Sequence, residues 1–314
     1  MPKRSLSPCG GAALLLTTVL LTGCGGGGDD GDDGGDPPDG NNSRHASISY
    51  DLDNNGVADA QSTLRYDSAG RVAELRYVYT GDGTADRFDG RGQDSVTEAY
   101  AFDGQGRLAS FTNTAAEGSS RFTFVYGSGA QPTRADVTAG GMTGQRNYSF
   151  SSAGLMTRVE LVLQGQVLGD SSFDYDAQGR RTLATETTAG ADAAASTRYT
   201  WNSDGTLAAV DRDIDADGTH VRYEMSYQNG LQTGTRKLVA GQLLYLVRFS
   251  YDTQNRLARA VFDMGGDGSD DASMTLTWET GACQSAVLPE FDPLTDAITG
   301  SGGSATGRIS ACAR

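Results

Sequence analysis

The sequence predicts an all-β protein, an antiparallel meander of about nine repeated β-hairpins that curls into a barrel-like or spiral sheet. Large aromatic side chains return at near-constant intervals, and another large apolar residue lies two positions before each of them. Such an i, i+2 apolar pair is typical of a strand with one buried face. A glycine or asparagine follows each aromatic by three or four positions, which indicates a short hairpin turn with positive φ. Each unit is therefore predicted as strand, tight turn, strand and looser turn.

The repeating positions fall into four sets. The recurring aromatics are Tyr66, Phe102, Tyr126, Phe150, Tyr175, Trp201, Tyr227, Tyr251 and Trp278, spaced 36, 24, 24, 25, 26, 26, 24 and 27 residues apart. Their apolar partners are Leu64, Tyr100, Phe124, Tyr148, Phe173, Tyr199, Met225, Phe249 and Leu276. The first-turn residues are Gly70, Gly106, Gly129, Gly154, Gly179, Gly205, Gly230, Asn255 and Gly281. The second-turn glycines are Gly83, Gly118, Gly141, Gly165, Gly190, Gly218, Gly241 and Gly268.

Four of these units carry a more specific pattern. YDSAGRV, FDGQGRL, YDAQGRR and YDTQNRL resemble the YD repeats of RHS-type bacterial proteins, and the resemblance covers residues 46–280 in weaker form. Large RHS proteins build a spiralling β-shell around a toxin, which implies a hairpin array here. This chain has too few units for a large shell and no toxin domain after them, so the toxin role does not follow from the resemblance.

The predicted repeat domain spans 46–282. An array of about eighteen strands has to curl, because neighbouring strands twist by roughly 20–25°. Its ends need caps; we assign Ala46–Tyr50 to the N-terminal one and residues 283–314 to the C-terminal one. Cys283 and Cys312 are predicted to close that C-terminal cap as a disulfide, which an exported compartment permits; two free thiols are the alternative.

The chain begins with a targeting signal, predicted over 1–23. Lys3 and Arg4 precede an apolar run that is too short to span a membrane as a helix. Leu21-Thr22-Gly23-Cys24 resembles a bacterial lipobox, which implies cleavage before Cys24 and its lipidation; a plain secretory signal is the alternative. By resemblance to the lipoprotein sorting rule, Gly25 favours the outer membrane over the inner one.

Residues 24–45 are predicted to form a disordered tether rich in glycine and aspartate, a passive spacer or a surface-display signal. The formal charge of the whole chain is −15. Such an acidic chain argues against nucleic acid and against electrostatic docking on anionic lipid. We therefore expect membrane contact only through the lipid anchor.

The strongest local pattern is Asp213-Ile-Asp215-Ala-Asp217-Gly218, with Glu224 six residues after the glycine. It fits a calcium loop, because alternate acidic residues on a glycine-turned loop supply the oxygen ligands that Ca²⁺ takes. The predicted ligands are Asp213, Asp215, Asp217, the Thr219 carbonyl and Glu224. The flanking sequence alternates like a strand, so the loop is predicted to lie between strands, without the helices of an EF-hand.

Two other second turns repeat this spacing. The first offers Asp51, Asp53, Asn55 and Asp59 as ligands, and the second offers Asp263, Asp267 and Asp271. Calcium is therefore the one cofactor that the sequence suggests. The alternative is that these loops are solvated hairpin tips, because Asp and Gly are common turn residues.

Signals for an enzyme are weak. The chain has two histidines, His45 and His220, and lacks the C-x-x-C, P-loop and H-E-x-x-H patterns. The sequence favours a non-enzymatic, lipid-anchored outer-membrane lipoprotein that acts as a β-repeat scaffold or binding module for an unknown protein or glycan. A calcium-dependent adhesin, and a hydrolase with an unmarked acidic site, remain as alternatives.

Overall fold

The computed structural model describes residues 43–81, 95–116, 118–190, 193–213 and 220–284, and the backbone of 286–288 and 307–309. All of its regular elements are strands. They are β1 (Ser43–Asp51), β2 (Ala60–Tyr66), β3 (Val72–Tyr79), β4 (Val96–Phe102), β5 (Leu108–Ala115), β6 (Gly118–Tyr126), β7 (Pro132–Ala139), β8 (Met142–Phe150), β9 (Met156–Leu163), β10 (Gln166–Tyr175), β11 (Arg181–Thr188), β12 (Ala195–Trp201), β13 (Leu207–Asp213), β14 (His220–Gln228), β15 (Leu231–Val239), β16 (Gln242–Tyr251), β17 (Leu257–Asp263), β18 (Ala272–Thr280), β19 (Ala286–Leu288) and β20 (Gly307–Ile309).

The first eighteen strands form one closed barrel. Each pairs antiparallel with the next strand in the chain, and β18 pairs with β1. The predicted all-β meander is confirmed, and of the two predicted forms the sheet takes the closed barrel. Strands β19 and β20 form a separate antiparallel pair. Because the chain reverses at every turn, all first turns lie at one end of the barrel and all second turns at the other.

The first turn of a unit is built by one aspartate. Asp67 Oδ1 accepts hydrogen bonds from the backbone N–H groups of Ala69 and Arg71, at 2.9 and 3.0 Å. Gly70 has φ of 82° and donates its N–H to the carbonyl of Asp67. The same bonds recur around Asp103, Asp176 and Asp252, with Asn255 at φ of 60° in place of the glycine. The YD pattern is thus a turn in which the aspartate side chain holds the backbone.

Two of the predicted first-turn residues, Gly129 and Gly281, do not have the positive φ that was predicted for them. Gly281 follows β18, and no hairpin forms there because the strand that pairs with β18 is β1, from the other end of the chain.

Arginine and the next aromatic connect adjacent units. Arg107 pairs with Asp103 at 2.8 Å, and its guanidinium lies 4.2 Å from the ring centroid of Tyr126. The Tyr126 hydroxyl donates to the carbonyl of Leu108 at 2.8 Å. Equivalent bonds run from Tyr175 to Met156, Trp201 to Arg181, Tyr227 to Leu207, Tyr251 to Gln232 and Trp278 to Leu257. Each unit whose recurring aromatic is a tyrosine or tryptophan is therefore fixed to its predecessor at the first-turn end, whereas Phe102 and Phe150 have no donor for this bond.

The seam between β18 and β1 reproduces these contacts without a covalent turn. Trp278 lies opposite His45, as Tyr66 lies opposite Val72 in the first complete hairpin. Glu279 accepts from Arg44 at 2.7 Å, in place of the Asp–Arg pair of a turn. Strand β1, predicted as part of an N-terminal cap, is therefore the second strand of a ninth hairpin, and it begins at Ser43 rather than at 46.

The apolar residues of each strand face the barrel interior. Eight of the nine partners two positions before the recurring aromatics are buried, for example Phe173 and Leu276, and Phe249 is partly buried. Tyr175 and Trp278 themselves are only partly buried. Tyr77 is 2% exposed. An eighteen-stranded barrel of circular section has room for an aqueous channel. Such complete burial excludes an open water-filled lumen at this level.

Candidate metal centre

The loop between β1 and β2 folds around the carboxylate of Asp51. Its Oδ1 accepts the backbone N–H of Asn55 at 3.0 Å, and its Oδ2 accepts that of Gly56 at 2.8 Å. Gly56 has φ of 88°, which a side chain would disfavour. The glycine therefore lets the chain turn tightly enough for both N–H groups to reach one carboxylate.

Two further carboxylates converge on Asp51. Asp53 Oδ1 accepts the Asn55 N–H at 3.1 Å, and Asp59 Oδ2 accepts the Leu52 N–H at 2.7 Å. Asp59 is only 5% exposed. One carboxylate oxygen from each of Asp51, Asp53 and Asp59 lies within 4.8 Å of the others. Within the part of the chain that the structure describes, this is the one group of three acidic or metal-binding side chains that meets this spacing.

The chemistry of this group fits a hard cation. Three carboxylates at this separation repel one another, and a divalent cation removes that repulsion. Each oxygen retains lone pairs beyond the one that accepts a backbone N–H. The predicted ligand Asn55 lies in the same loop, where its Oδ1 accepts the Val57 N–H at 2.7 Å. Three of the four ligands predicted for this loop, Asp51, Asp53 and Asp59, are thus brought together, and carboxylate oxygens are the kind of ligand that Ca²⁺ takes.

The loop between β17 and β18 has the same backbone hydrogen bonds with its acids placed differently. Asp263 accepts from the N–H groups of Asp267 and Gly268, and Asp271 accepts from Met264. Gly265 stands where the first loop has Asp53 and Asp267 where it has Asn55, and the three predicted ligands of this loop do not meet the 4.8 Å spacing. The two loops adjoin, because Asn54 Nδ2 donates to the carbonyl of Asp270 at 2.8 Å.

Of the calcium ligands predicted around Asp213, the structure describes Asp213 and Glu224. Asp213 ends β13, and Asp215, Asp217 and Thr219 lie outside the described residues. Glu224 lies on β14, where its carboxylate pairs with Arg222 at 3.0 Å and Arg236 at 3.3 Å. Calcium binding by this loop stays a prediction. Glu224 forms ion pairs with two arginines on the surface of the sheet.

The other predicted site residues concern the two ends of the chain. Cys24 and Cys312 lie outside the described residues, so lipidation and the Cys283–Cys312 bridge both stay predictions. Cys283 follows β18 at the first-turn end. There the backbone N–H of Gln284 donates to the carbonyl of Gly70 at 2.9 Å. The segment after β18 therefore packs on the first turn of β2–β3, as a C-terminal cap would.

One buried and one half-buried basic residue, His45 and Lys237, were missed by sequence reasoning. His45, predicted to lie in the tether, is 1% exposed, with its ring 3.7 Å from that of Trp278. Burial, and then the nearby Arg256, lower the pKa of His45 to about 3. Lys237 lies between Tyr223 and Tyr245, and burial lowers the pKa of its amine. One signal was available for His45, because Arg44-His45 follows the Arg-apolar order of Arg71-Val72.

Among the described residues, no helix has the length and apolar character needed to cross a membrane.

Comparisons with known proteins identify no family. No family model and no curated protein matches this sequence. A porin-like protein from Bacteroides uniformis is similar over 75% of this chain and 98% of its own, with a TM-score of 0.44 and 11% identity. The TcdB2-TccC3-Cdc42 structure is similar over 78% of this chain and 14% of its own, with a TM-score of 0.40 and 13% identity. Both TM-scores are below 0.5, so neither likeness carries an argument about function.

Proposed function

We propose that this protein is a non-enzymatic envelope lipoprotein whose closed barrel is a scaffold for binding a protein or glycan, related to the YD-repeat proteins. In this proposal the lipid on Cys24 attaches the protein to the outer membrane, and the barrel itself stays in water. The observation that carries the proposal is the polarity of the two barrel faces.

The outward face is polar along the whole length of the strands. Its exposed residues include Gln61, Thr63, Arg65, Arg76, Arg121, Thr123, Arg158, Asp174, Arg198, Thr200, Arg236, Arg259 and Thr275. A barrel embedded in a bilayer presents the opposite pattern, because arginine or lysine on the lipid face costs roughly 2–4 kcal/mol near the midplane. The many outward arginines favour water on this face and leave the lipid anchor as the means of membrane attachment.

The inward-facing side chains of the strands pack against one another. Two of the buried polar groups have partners within the barrel: Glu98 accepts the hydroxyl of Tyr100 at 2.7 Å, and Gln232 donates to Thr235 at 2.7 Å. At the level of Tyr77, which is 2% exposed, the packed interior leaves no water-filled route for a solute. This arrangement favours a scaffold that binds its ligand on the outer surface or at the ends of the barrel.

We expect Cys24→Ala to move the protein from the membrane fraction to the soluble fraction, because the strands would no longer have a lipid attached. Fractionation after a carbonate wash, with palmitate labelling of wild type and variant, measures this. Cys9→Ala is the matched control, since it lies within the predicted signal and leaves Cys24 intact. A Cys24→Ala protein that stayed in the carbonate-washed membranes would instead favour a membrane-spanning barrel.

We further propose that calcium stabilises the barrel by binding Asp51, Asp53 and Asp59. These residues lie between β1 and β2, so a bound cation would tie β1 to the rest of the sheet. The stability of the barrel would then depend on calcium.

We expect millimolar Ca²⁺ to raise the melting temperature, because extracellular calcium sites commonly have Kd near 10⁻⁴–10⁻³ M. A hundredfold excess over Kd corresponds to about 2.7 kcal/mol of stabilisation. Asp53→Asn is expected to reduce the response in differential scanning calorimetry, because Asp53 is exposed and removing its charge disturbs little packing. Asp174→Asn, an exposed acid on β10, is the control. Equal calcium responses in wild type and Asp53→Asn would contradict this site, and no response at all would contradict any metal role.

A further inference from the structure

The exposed large hydrophobic side chains lie at one end of the barrel. Among the described residues they are Val57, Met142, Val167, Leu244 and Met264, with exposed fractions of 66, 52, 51, 46 and 38%. Val57 and Met264 lie in the β1–β2 and β17–β18 loops, and the other three are within the first three residues of β8, β10 and β16, which each follow a second turn. All five therefore lie at the second-turn end, which we name the apolar rim. Val57, Leu244 and Met264 belong to three consecutive second turns, whereas Met142 and Val167 lie about half the strands away.

The charges of the two ends differ as well. At the first-turn end five acids are paired with arginines: Asp67 with Arg71, Asp103 with Arg107, Asp176 with Arg180, Asp252 with Arg256, and Glu279 with Arg44. At the apolar rim, Asp51, Asp53 and Asp267 accept backbone N–H groups instead, which carry no net charge. Arg248 pairs with Asp270 of the β17–β18 loop, and elsewhere near the rim Arg212 pairs with Glu186 and Arg222 with Asp211. The adjoining β1–β2 and β17–β18 loops, counted from Asp51 to Asp59 and from Asp263 to Asp271, contain seven aspartates and no lysine or arginine, so this arc of the rim is anionic.

The rim is also the end that faces away from the chain terminus. Strand β1 starts at Ser43 at the first-turn end, where Arg44 and His45 complete the seam. On the proposed function, the segment from Cys24 to residue 42 joins the bilayer to that end. Its nineteen residues reach at most about 65 Å when fully extended. The tether therefore joins the barrel at the end opposite the apolar rim.

We propose that the apolar rim is the docking surface for a cationic amphipathic polypeptide segment of a partner protein, one in which lysine or arginine alternates with aliphatic side chains. The aliphatic side chains cover the exposed rim residues, and the basic ones meet its unneutralised carboxylates. An anionic lipid surface would be repelled by the same carboxylates. Glycans would leave the aliphatic side chains uncovered. This inference rests on the proposed binding function and names its site and partner class.

Calcium is expected to oppose this docking. The Asp51 group supplies part of the negative charge of the rim, and a bound cation cancels it. Docking and calcium binding would then compete for the same carboxylates, so calcium would set how strongly the rim holds its partner.

The test uses the full mature chain in mild detergent and a fluorescent peptide of alternating lysine and leucine, followed by anisotropy. Wild type is expected to bind it more tightly than a lysine–serine or a glutamate–leucine peptide of equal length. The combined variant Val57→Ser, Leu244→Gln, Met264→Gln changes three consecutive second turns and is expected to weaken binding at least about tenfold, since each buried methylene contributes measurably to affinity. Millimolar calcium is expected to weaken wild-type binding severalfold.

The matched control changes three exposed apolar residues at the other end, Ala69→Ser, Ala153→Ser and Ala177→Ser, and is expected to bind as wild type does. Equal binding of the lysine–leucine peptide by the rim variant and by this control would overturn the proposal. Equal affinity of wild type for the lysine–serine and lysine–leucine peptides would also overturn it, because binding would then depend on charge attraction alone. Binding to phosphatidylglycerol vesicles that the rim variant abolishes would assign the rim to a membrane instead. Each outcome is independent of the Cys24→Ala fractionation, so the anchoring proposal and the rim can fail separately.

Discussion

Replacing Tyr77 with alanine is expected to lower the free energy of unfolding by about 3–5 kcal/mol. Tyr77 is 2% exposed, and its ring meets that of Tyr50 edge-on at 5.6 Å. The substitution would open a cavity in the arc of the core that includes β1, β3 and β18, where neighbouring rings and aliphatic side chains pack on one another. Urea unfolding followed by tryptophan fluorescence measures the change.

Tyr251→Phe is the contrasting variant. Tyr251 is only partly buried, and the phenylalanine keeps its ring while removing the hydroxyl that donates to the Gln232 carbonyl at 2.8 Å. We expect a loss of about 0.5–1.5 kcal/mol, the usual net contribution of one hydrogen bond. Tyr77→Ala costing no more than Tyr251→Phe would contradict the assignment of Tyr77 to the core.

Acid is expected to destabilise the barrel at the seam before it affects the aspartate turns. His45 has an ordinary pKa of 6.5 when unfolded and about 3 when folded. The unfolded chain therefore binds a proton that the folded chain excludes, so this contribution is complete above pH 6.5 and is lost as pH falls towards 3. Between pH 6.5 and 4.5 the loss is about 2–3 kcal/mol, at roughly 1.4 kcal/mol for each pH unit.

Protonation of the turn aspartates lowers the stability of the barrel at a lower pH than protonation of His45 does. Partial burial raises the pKa of Asp67, but hydrogen bonds from Arg71 and Ala69 outweigh it and lower the pKa below 3.8. The stability that these bonds contribute is present above that value and is lost at more acidic pH. The change in the free energy of unfolding between pH 6.5 and about 4.5 is therefore assigned to His45.

His45→Leu separates the two effects. Leucine is the residue at the equivalent position of three other units, Leu108, Leu207 and Leu257, opposite the recurring aromatic. The variant is expected to keep its unfolding free energy nearly constant from pH 6.5 to 4.5, whereas wild type declines. A wild-type slope unchanged by the substitution would show that another group accounts for the acid sensitivity.

The repeat itself could be predicted because it is local. An aspartate, a glycine four or fewer residues after the aromatic, and the alternation of apolar side chains fix the turn and the strand faces within a few residues of one another. The turns of Asp67, Asp103, Asp176 and Asp252 follow that prediction. The turn predicted at Gly281 did not form, because it would have needed one more strand of the sheet after β18, and the barrel pairs β18 with β1 instead.

The acidic loops could likewise be predicted in part from the sequence. The spacing of Asp51, Asp53, Asn55 and Asp59 was sufficient to predict that these side chains share one loop. That the Asp51 and Asp263 loops lie side by side could not be predicted, because the bond from Asn54 to Asp270 joins residues 216 positions apart. Counting ligands in the sequence also ranked the Asp213 loop first, whereas the grouped carboxylates among the described residues are those of Asp51, Asp53 and Asp59.

The sequence by itself determined the strands, their inward faces and the aspartate turns, because those depend on backbone preferences and contacts within about ten residues. Only the tertiary structure decided that the meander closes. Closure places Arg44 against Glu279, 235 residues away, and buries His45 against Trp278. It also decided that the recurring aromatics lie partly exposed near the first-turn end while their partners two residues earlier form the core. Closing the sheet pairs β1 with β18, and no pattern within a single unit encodes that pairing of the two ends of the chain.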